Sequence, residues 1–361
     1  MSFSRRVVVA HDYLTQTGGA ERVALQLAQS LDARKIVTSV YSKDRTYSGF
    51  ESFAVEETYL ARIGLFLRDP RVALPFLASA WSSLGPTGAD VVVCSSSGWS
   101  HGIRVQSGIS KVVYCHNPAR WLYQREDYLI GQPWPVRLAL AALRPYLLRW
   151  DQRAAKSADL YIANSTSVAS RIREAYGIEA EVIHPPMSMV TNASQDPVSQ
   201  LDGTEYFVTV GRMRGYKAVH TLIEAFRQMP DHVLAIAGME PFDGCPLNVI
   251  PLGRLTDAQL RWTYANARAL LSVSREDFGL TPVEANAFGT PALVLRAGGF
   301  IDSTAEGISG DFIEVATPQG VIDAVRAFKS AWDTQAIIEH ASQFSPERFR
   351  AKMLIAIEST L

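Results

Sequence analysis

Two glutamates at a fixed spacing are the residues of this chain that most suggest chemistry. Glu276 and Glu284 lie eight positions apart in SREDFGLTPVEANAFGTPALV, with Gly279 and Pro282 between them. Two carboxylates can act as general acid and general base when the fold holds them on either side of one bond. The order of residues from Thr281, however, is typical of a helix capping box, which places Glu284 at a helix start and Glu276 in the preceding loop. The sequence therefore argues against an acid–base pair.

A loop and helix start of this kind can instead bind a phosphate. Gly279 lets backbone approach a ligand closely, and the amides of a first helical turn attract an anion. Glu284 could then accept hydrogen bonds from a ribose diol. The alternative that stays open is an ordinary capping box preceded by a loop acid.

Two cations follow a predicted strand in VGRMRGYKAVHTLIEAF (210–226). The apolar periodicity after Lys217 predicts a helix, so Arg212 and Lys217 can both project toward the strand end. Fixed cations there would stabilise the charge that grows on a departing diphosphate. Surface salt bridges are the alternative role for them.

Four residues that follow strands in the first half are further candidates. Gly18 and Gly19 precede an amphipathic helix, an arrangement that fits a diphosphate contact or a purely structural turn. His116 follows the strand KVVYCH and could bond a sugar or a developing charge; the alternative is a satisfied structural histidine. His101 is a weaker candidate.

Short β-branched runs alternate with helical segments, which predicts doubly wound parallel sheets of the α/β class. The predicted strands are 6–11, 35–41, 90–95, 111–116, 159–164, 206–211, 232–238, 269–274 and 291–295. We predict an N-terminal Rossmann-like domain over 1–186, a linker over 187–203, a C-terminal Rossmann-like domain over 204–344, and a helix over 345–361 that could cross back to the first domain. A shared ligand is expected in the cleft between the domains, beyond the strand ends.

Composition excludes several classes of protein. With 35 basic and 36 acidic side chains the net charge is -1, which gives no general attraction to nucleic acid. Cys94, Cys115 and Cys245 are too widely spaced for a metal site and indicate reduced thiols. The apolar run 7–10 is too short for a signal peptide or membrane span, so we expect a cytoplasmic protein.

The stretch EDFGLTPVEANAFGTP resembles the E-x7-E signature of the retaining glycosyltransferases of family 4, which have the two-domain GT-B fold. The resemblance implies that Glu276 faces the donor sugar and that Glu284 binds the ribose. It also implies that the intervening loop holds the sugar and the diphosphate, through Phe278, Gly279, Leu280 and Thr281.

Other segments resemble the same family. GRMRGYK is similar to its G-R-x-x-x-x-K pattern, which assigns Arg212 and Lys217 to the leaving diphosphate; Ala218 stands where glycine is common. The resemblance further implies donor-phosphate contacts by Gly18 and Gly19, a base contact by Arg254, and a contact of His116 beside the reacting carbon.

The resemblance implies a retaining transfer of a hexose from a nucleoside diphosphate sugar to an acceptor hydroxyl, without metal or cofactor. HDYLTQTGGAERV and YCHNPARWLY look most like bacterial mannosyltransferases of O-antigen and other lipid-linked glycans, which favours GDP-mannose and a glycan or lipid-linked acceptor. The alternatives are a sugar-nucleotide epimerase or hydrolase on this fold and a catalytically silent glycan-binding module. A nicotinamide dehydrogenase is less favoured, because T-G-G-A lacks the spaced glycines of a dinucleotide site.

Arginine and tryptophan alternate with apolar residues over 119–153. Such helices can lie in a membrane interface and attract anionic lipid, which predicts peripheral contact with the inner face of a membrane. Buried helices whose arginines extend to solvent are the alternative. Pro145 argues against one straight helix.

Overall fold

The computed structural model describes residues 5–64, 66, 70–85, 88–124, 134–211, 218–329 and 331–361. The chain divides into two compact units, Met1–Pro186 with Pro346–Leu361, and Met187–Ser345. Each unit contains a sheet whose described strand pairs are all parallel. The predicted α/β class with two doubly wound domains is therefore confirmed.

The first unit is built on a seven-stranded sheet of order β3-β2-β1-β4-β5-β6-β7, counted over the described residues. Its strands are β1 Val7–His11, β2 Lys35–Thr38, β3 Ala54–Glu57, β4 Val91–Ser96, β5 Ser110–Cys115, β6 Leu160–Ala163 and β7 Glu181–Val182. Its helices before the second unit are α1 Gly19–Ser30, α2 Leu74–Ser83, α3 Arg120–Tyr123, α4 Trp134–Ala155 and α5 Thr166–Tyr176.

The central strands of this sheet are buried along their whole length and mainly apolar. Every residue of β1, β4 and β5 is buried, as expected for parallel strands covered on both faces. Residues of β1 pair with β4 in register from Val7 with Val91 to His11 with Ser95. This register brings the polar residues at the two strand ends side by side.

The second unit has a six-stranded sheet of order β10-β9-β8-β11-β12-β13 within the described part of the chain. Its strands are β8 Tyr206–Val210, β9 Val233–Ala237, β10 Val249–Pro251, β11 Ala269–Ser272, β12 Ala292–Leu295 and β13 Gly310–Ile313. Its helices are α6 Val219–Arg227, α7 Asp257–Ala265, α8 Leu280–Asn286, α9 Phe300–Ser303, α10 Pro318–Ala327 and α11 Thr334–Ser342.

Side-chain packing shows where the second unit begins and ends along the sequence. Residues 187–203 belong to this unit, and Met189, Val198 and Leu201 are buried in its core. After residue 345 the last helix, α12 Pro346–Glu358, packs on the first unit, where the Phe349 ring lies 5.8 Å from that of Tyr114.

Ala218 begins α6 in a conformation that favours glycine. It is the N-cap residue of the helix and has φ of 51° and ψ of 29°, in the left-handed region. An L-residue is strained there because its Cβ crowds the backbone. The departure from the family's glycine therefore has a conformational cost.

We expect Ala218→Gly to raise the free energy of unfolding by about 0.5–1 kcal/mol, because relief of a strain of about 1–2 kcal/mol exceeds the extra chain entropy of glycine. Urea unfolding of both proteins measures the difference. Ala324→Gly, in the middle of α10, is the matched control and should lower the unfolding free energy by about 1 kcal/mol. A218G less stable than the wild type would contradict the explanation.

Candidate functional site

Each sheet has one place where the strand order reverses direction. In the first sheet β1 lies between β2 and β4, and in the second sheet β8 lies between β9 and β11. The helical connections on either side of such a point diverge, which leaves a crevice at the carboxyl ends of the strands where ligands bind. The crevices lie at β1 and β4 in the first unit and at β8 and β11 in the second.

Three polar side chains meet at the crevice of the first unit. His11 ends β1, Ser95 lies near the end of β4, and His116 follows β5. Ser95 Oγ lies 3.0 Å from His11 Nδ1 and 2.7 Å from His116 Nε2, so one hydroxyl joins both rings. All three residues are buried. Of these three residues, His116 alone was predicted from the sequence. A polar residue at the end of each apolar strand is the signal that points to the other two.

Burial determines the protonation of these histidines. Loss of hydration lowers the pKa of His11 to about 4, with Asp12 raising it and His116 lowering it further. Loss of hydration likewise lowers the pKa of His116 to about 4. Both rings are therefore neutral near neutral pH.

Asp12 holds the loop that follows β4. Its carboxylate accepts hydrogen bonds from the backbone N–H of Ser97 at 2.8 Å and of Ser100 at 2.7 Å. Gly98 in this loop has φ of +124°, and a Cβ there would lie 2.6 Å from that of Ala119. Asp12 is thus a positioning residue that the sequence analysis did not identify.

The glycine turn before α1 is close to a buried acid. Gly18 is the N-cap residue with an extended φ of -124°, and Gly19 is the first residue of the helix. A Cβ on Gly18 would overlap the carboxylate of Glu21, which is buried and accepts a hydrogen bond from Gln16 at 2.8 Å. Burial raises the pKa of Glu21. The donor-phosphate contact of the two glycines stays a prediction, and Glu21 is a further candidate that was missed.

Glu276 lies in the loop after β11 and is held at two points. Ser274 Oγ donates to Glu276 Oε1 at 2.8 Å, and the Ser272 and Ser274 hydroxyls are 2.9 Å apart. The Glu276 carbonyl oxygen accepts from the N–H of Gly299 at 2.9 Å. Such a restrained carboxylate could orient a sugar hydroxyl, which remains the predicted role.

Glycines allow the loop after β12 to approach the Glu276 loop. A Cβ on Gly298 or Gly299 would overlap backbone atoms of residues 276–278. Gly298 has φ of +61°, and Gly279 has φ of +91°. Any larger residue at 298 or 299 must therefore move the loop that carries Glu276.

The capping box predicted at Thr281 is wrong. α8 begins at Leu280, and its N-cap residue Gly279 has no side chain with which to cap it. The left-handed φ of Gly279 turns the chain into the helix two residues earlier than expected, so Thr281 lies inside the first turn. Glu284 lies further along the helix, is buried, and accepts a hydrogen bond from Tyr264 OH at 3.4 Å. Its contact with a ribose stays a prediction.

The remaining predicted residues have different surroundings. The Phe278 side chain is buried against Phe344, with ring centroids 5.5 Å apart, so its backbone alone can serve the predicted contact. Arg254 is exposed in the segment after β10. Arg212 and Lys217 lie outside the described residues.

His101 is enclosed in the core of the first unit. Its Nε2 lies 3.0 Å from Asp151 Oδ1, and Tyr161 OH lies 3.3 Å from its Nδ1. Its surroundings indicate a structural role. Over the residues that the structure describes, no group of three or more His, Cys, Asp and Glu could hold a metal ion.

Two family models match this chain. One described as Glycosyltransferase Family 4 matches residues 17–188, and one described as Glycosyl transferases group 1 matches residues 192–344. Together they span most of the sequence, and the chain belongs to the family 4 glycosyltransferases.

Curated relatives are named as inositol phosphate glycosyltransferases. The D-inositol 3-phosphate glycosyltransferase of Mycolicibacterium vanbaalenii is 26% identical over 294 residues, 66% of this chain and 65% of that protein. The protein of the same name from Nocardiopsis dassonvillei is 28% identical over 204 residues, 47% of this chain and 48% of that protein. The match thus spans less than two thirds of either relative.

Solved structures with the same fold cover nearly the whole chain. HepE of Anabaena, solved with UDP-glucose, has a TM-score of 0.69 and 18% identity over 98% of this chain and 99% of that one. Sucrose-phosphate synthase of Thermosynechococcus elongatus has a TM-score of 0.69 and 17% identity over 98% and 99%. At these identities the likeness shows the fold alone, and it confirms the predicted GT-B fold.

The buried histidines predict a loss of stability in mild acid. Their pKa values are lower in the folded chain than the ordinary value of about 6.5, so between pH 6.5 and about 4 the unfolded chain binds more protons. As the pH is lowered through this window, the free energy of unfolding should fall by up to about 1.4 kcal/mol per pH unit for each histidine. Urea unfolding at a series of pH values measures this slope.

His116→Gln should make the slope shallower, because it removes one of the two groups. His220→Gln, at an exposed position of α6, is the matched control and should leave the slope unchanged. A slope in H116Q equal to that of the wild type would contradict the assignment.

Proposed function

We propose that this chain is a retaining glycosyltransferase that moves a hexose from a nucleoside diphosphate sugar to an acceptor hydroxyl. The observation that carries the proposal is the restrained Glu276 at a sheet crevice, in a chain that two glycosyltransferase models match over most of its length. Ser274 and Gly299 hold the side chain and backbone of this residue.

The second unit is proposed to bind the donor. Glu276 orients the sugar, Glu284 binds the ribose, and the backbone of 278–281 meets the diphosphate. Arg212 and Lys217 supply positive charge to the leaving group, so the proposed reaction requires no metal or cofactor. The acceptor's proton passes to the leaving phosphate on the same face of the sugar, which needs no protein nucleophile.

The sugar and base of the donor are open to a direct experiment. The sequence resemblance favours GDP-mannose with a glycan or lipid-linked acceptor. HepE, which shares the fold, was solved with UDP-glucose, so a UDP-hexose is the second donor to test. A panel of GDP-, UDP- and dTDP-sugars, with and without lipid-linked acceptor, separates transfer from hydrolysis or epimerisation, because the latter need no acceptor.

Glu276→Gln should lower the rate of transfer at saturating donor by about a hundredfold, because an amide at this position offers the sugar hydroxyl a weaker acceptor in the transition state. The change keeps the size of the side chain and an oxygen for Ser274. Release of free nucleotide and of glycosylated product, with EDTA present, measures the rate.

The matched control is Glu358→Gln, at an exposed position at the end of α12. It should transfer sugar at the wild-type rate. Full activity of E276Q would contradict the proposed role of Glu276. Loss of wild-type activity in EDTA would contradict a reaction that needs no metal.

We also propose peripheral contact of the first unit with anionic membranes. Large apolar side chains are exposed on α2 and α4, among them Phe76, Trp134, Leu138 and Tyr146. Arginines share α4 with them, and such helices bind interfaces by apolar insertion and charge attraction. No helix in the described part of the chain is long and apolar enough to cross a membrane.

Trp134→Ser with Leu138→Ser should weaken binding to vesicles containing anionic lipid by at least about tenfold, because two apolar side chains are lost from the interface. Co-sedimentation with anionic and with zwitterionic vesicles measures binding. Leu247→Ser, at a fully exposed site of the second unit, is the control and should bind as the wild type does. A wild-type chain that stays in solution with anionic vesicles would overturn the proposal.

A further inference from the structure

The contacts of His11 fix the position of its ring hydrogen. His11 Nδ1 lies 3.1 Å from the carbonyl oxygen of Ser95 and 3.0 Å from its Oγ. A carbonyl oxygen only accepts hydrogen bonds, so His11 Nδ1 must carry the hydrogen. With the hydrogen on Nε2 instead, a nitrogen lone pair would face the carbonyl oxygen in a buried site, which is unfavourable.

Among the described residues, the hydroxyl hydrogen of Ser95 then has one acceptor within reach. His11 Nδ1 is a donor, so the Ser95 hydroxyl cannot donate to it. The other partner that the described residues give this hydroxyl is His116 Nε2 at 2.7 Å. If His116 Nε2 also donated, the buried hydroxyl hydrogen would have no acceptor among the described residues, and native structures rarely leave such a hydrogen unpaired. Ser95 therefore donates to His116 Nε2.

A neutral imidazole that accepts at Nε2 carries its hydrogen on Nδ1. Burial keeps His116 neutral, because its pKa is lowered to about 4. Its Nδ1 makes no hydrogen bond to another residue in the described part of the chain. The ring thus has one N–H to offer a ligand.

We propose that Ser95 is a positioning residue that holds His116 as the Nδ1–H tautomer, so that His116 meets its ligand as a hydrogen-bond donor. The ligand atom is then an acceptor oxygen, of a sugar hydroxyl or of a phosphate. In this tautomer Nδ1 carries a hydrogen and has no lone pair that can accept a proton, so His116 does not act as a general base toward that ligand. The proposal rests on the proposed function only for the identity of the ligand.

The tautomer can be read without any substrate. In the full chain labelled with 15N-histidine, two-bond couplings between ring nitrogens and carbon-bound hydrogens near neutral pH distinguish Nδ1–H from Nε2–H. His116→Gln assigns the His116 signals. We expect the Nδ1–H pattern; an Nε2–H or charged ring would overturn the proposal.

The same spectrum contains a control of the opposite kind. His340 Nε2 lies 3.3 Å from the carbonyl oxygen of Ser303, so by the same reasoning His340 is the Nε2–H tautomer. His340→Gln assigns its signals. The Nδ1–H pattern at His340 would show that carbonyl contacts do not fix ring hydrogens in this chain, which would remove the argument for His11 and Ser95.

Ser95→Ala tests the role of the hydroxyl. The variant should show a mixture of His116 tautomers, whereas Ser100→Ala, the same change in the loop that follows β4, should keep the Nδ1–H form. Ser100 Oγ bonds the Ser95 carbonyl oxygen at 2.9 Å and does not touch His116. An unmixed Nδ1–H ring in S95A would overturn the positioning role.

A double-mutant cycle tests the consequence for transfer. S95A should lower the rate at saturating donor by about tenfold, the usual effect of one misaligned hydrogen bond. In H116Q the same change should have no further effect, because Ser95 acts through His116. Additive losses would overturn the proposal. A chain without transfer activity would instead refute the proposed function, and the spectra would still decide the tautomer.

Discussion

The parallel pairing of β1 with β4, and of β8 with β11, is the constraint on which both candidate sites depend. At these pairs the connections on either side run in opposite directions, which leaves a crevice at the strand ends between them. Buried strands set the register, and the register sets which polar residues become neighbours. His11 and Ser95 are 84 positions apart in sequence and are paired directly across β1 and β4. The chemistry of the first unit is therefore a consequence of apolar strand packing.

Burial of those strand ends makes each unpaired polar group costly. An unpaired buried donor or acceptor costs about 1–3 kcal/mol, so a histidine at such an end persists only with a hydrogen-bonding neighbour. Ser95 supplies that neighbour for His11 and His116. Asp12 does the same for backbone amides of the next loop. The side chains that supply hydrogen-bond partners to these buried groups also fix which atom donates in each hydrogen bond.

Sequence predicted the central strands and missed the edges. The four strands that were not predicted, β3, β7, β10 and β13, are the edges of the two sheets. An edge strand has one neighbour and need not be apolar throughout, as the sequence AVEE of β3 shows. The network around Ser95 was missed because its members are joined by strand register and share no local pattern. Local pattern also misplaced the start of α8, since the φ of Gly279 is a property of its packing. The strain at Ala218, by contrast, could be anticipated, because glycine is the residue that the left-handed conformation favours.

Serine hydroxyls prepare a hydrogen-bond acceptor in the second unit and a hydrogen-bond donor in the first. In the second unit a carboxylate can only accept, so Ser274 donates to Glu276 and the hydroxyl of Ser272 is directed toward Ser274. This series of hydrogen bonds ends at a carboxylate, which is a hydrogen-bond acceptor. In the first unit the series begins at the N–H of His11, passes through the Ser95 hydroxyl and ends at Nε2 of His116, which accepts. The other ring nitrogen of His116, Nδ1, is therefore a donor. A sugar hydroxyl both donates and accepts, and a phosphate oxygen only accepts. Hydroxyls thus suit the Glu276 carboxylate, whereas His116 can bond either group, and the direction of each serine bond decides which ligand atoms each unit can recognise.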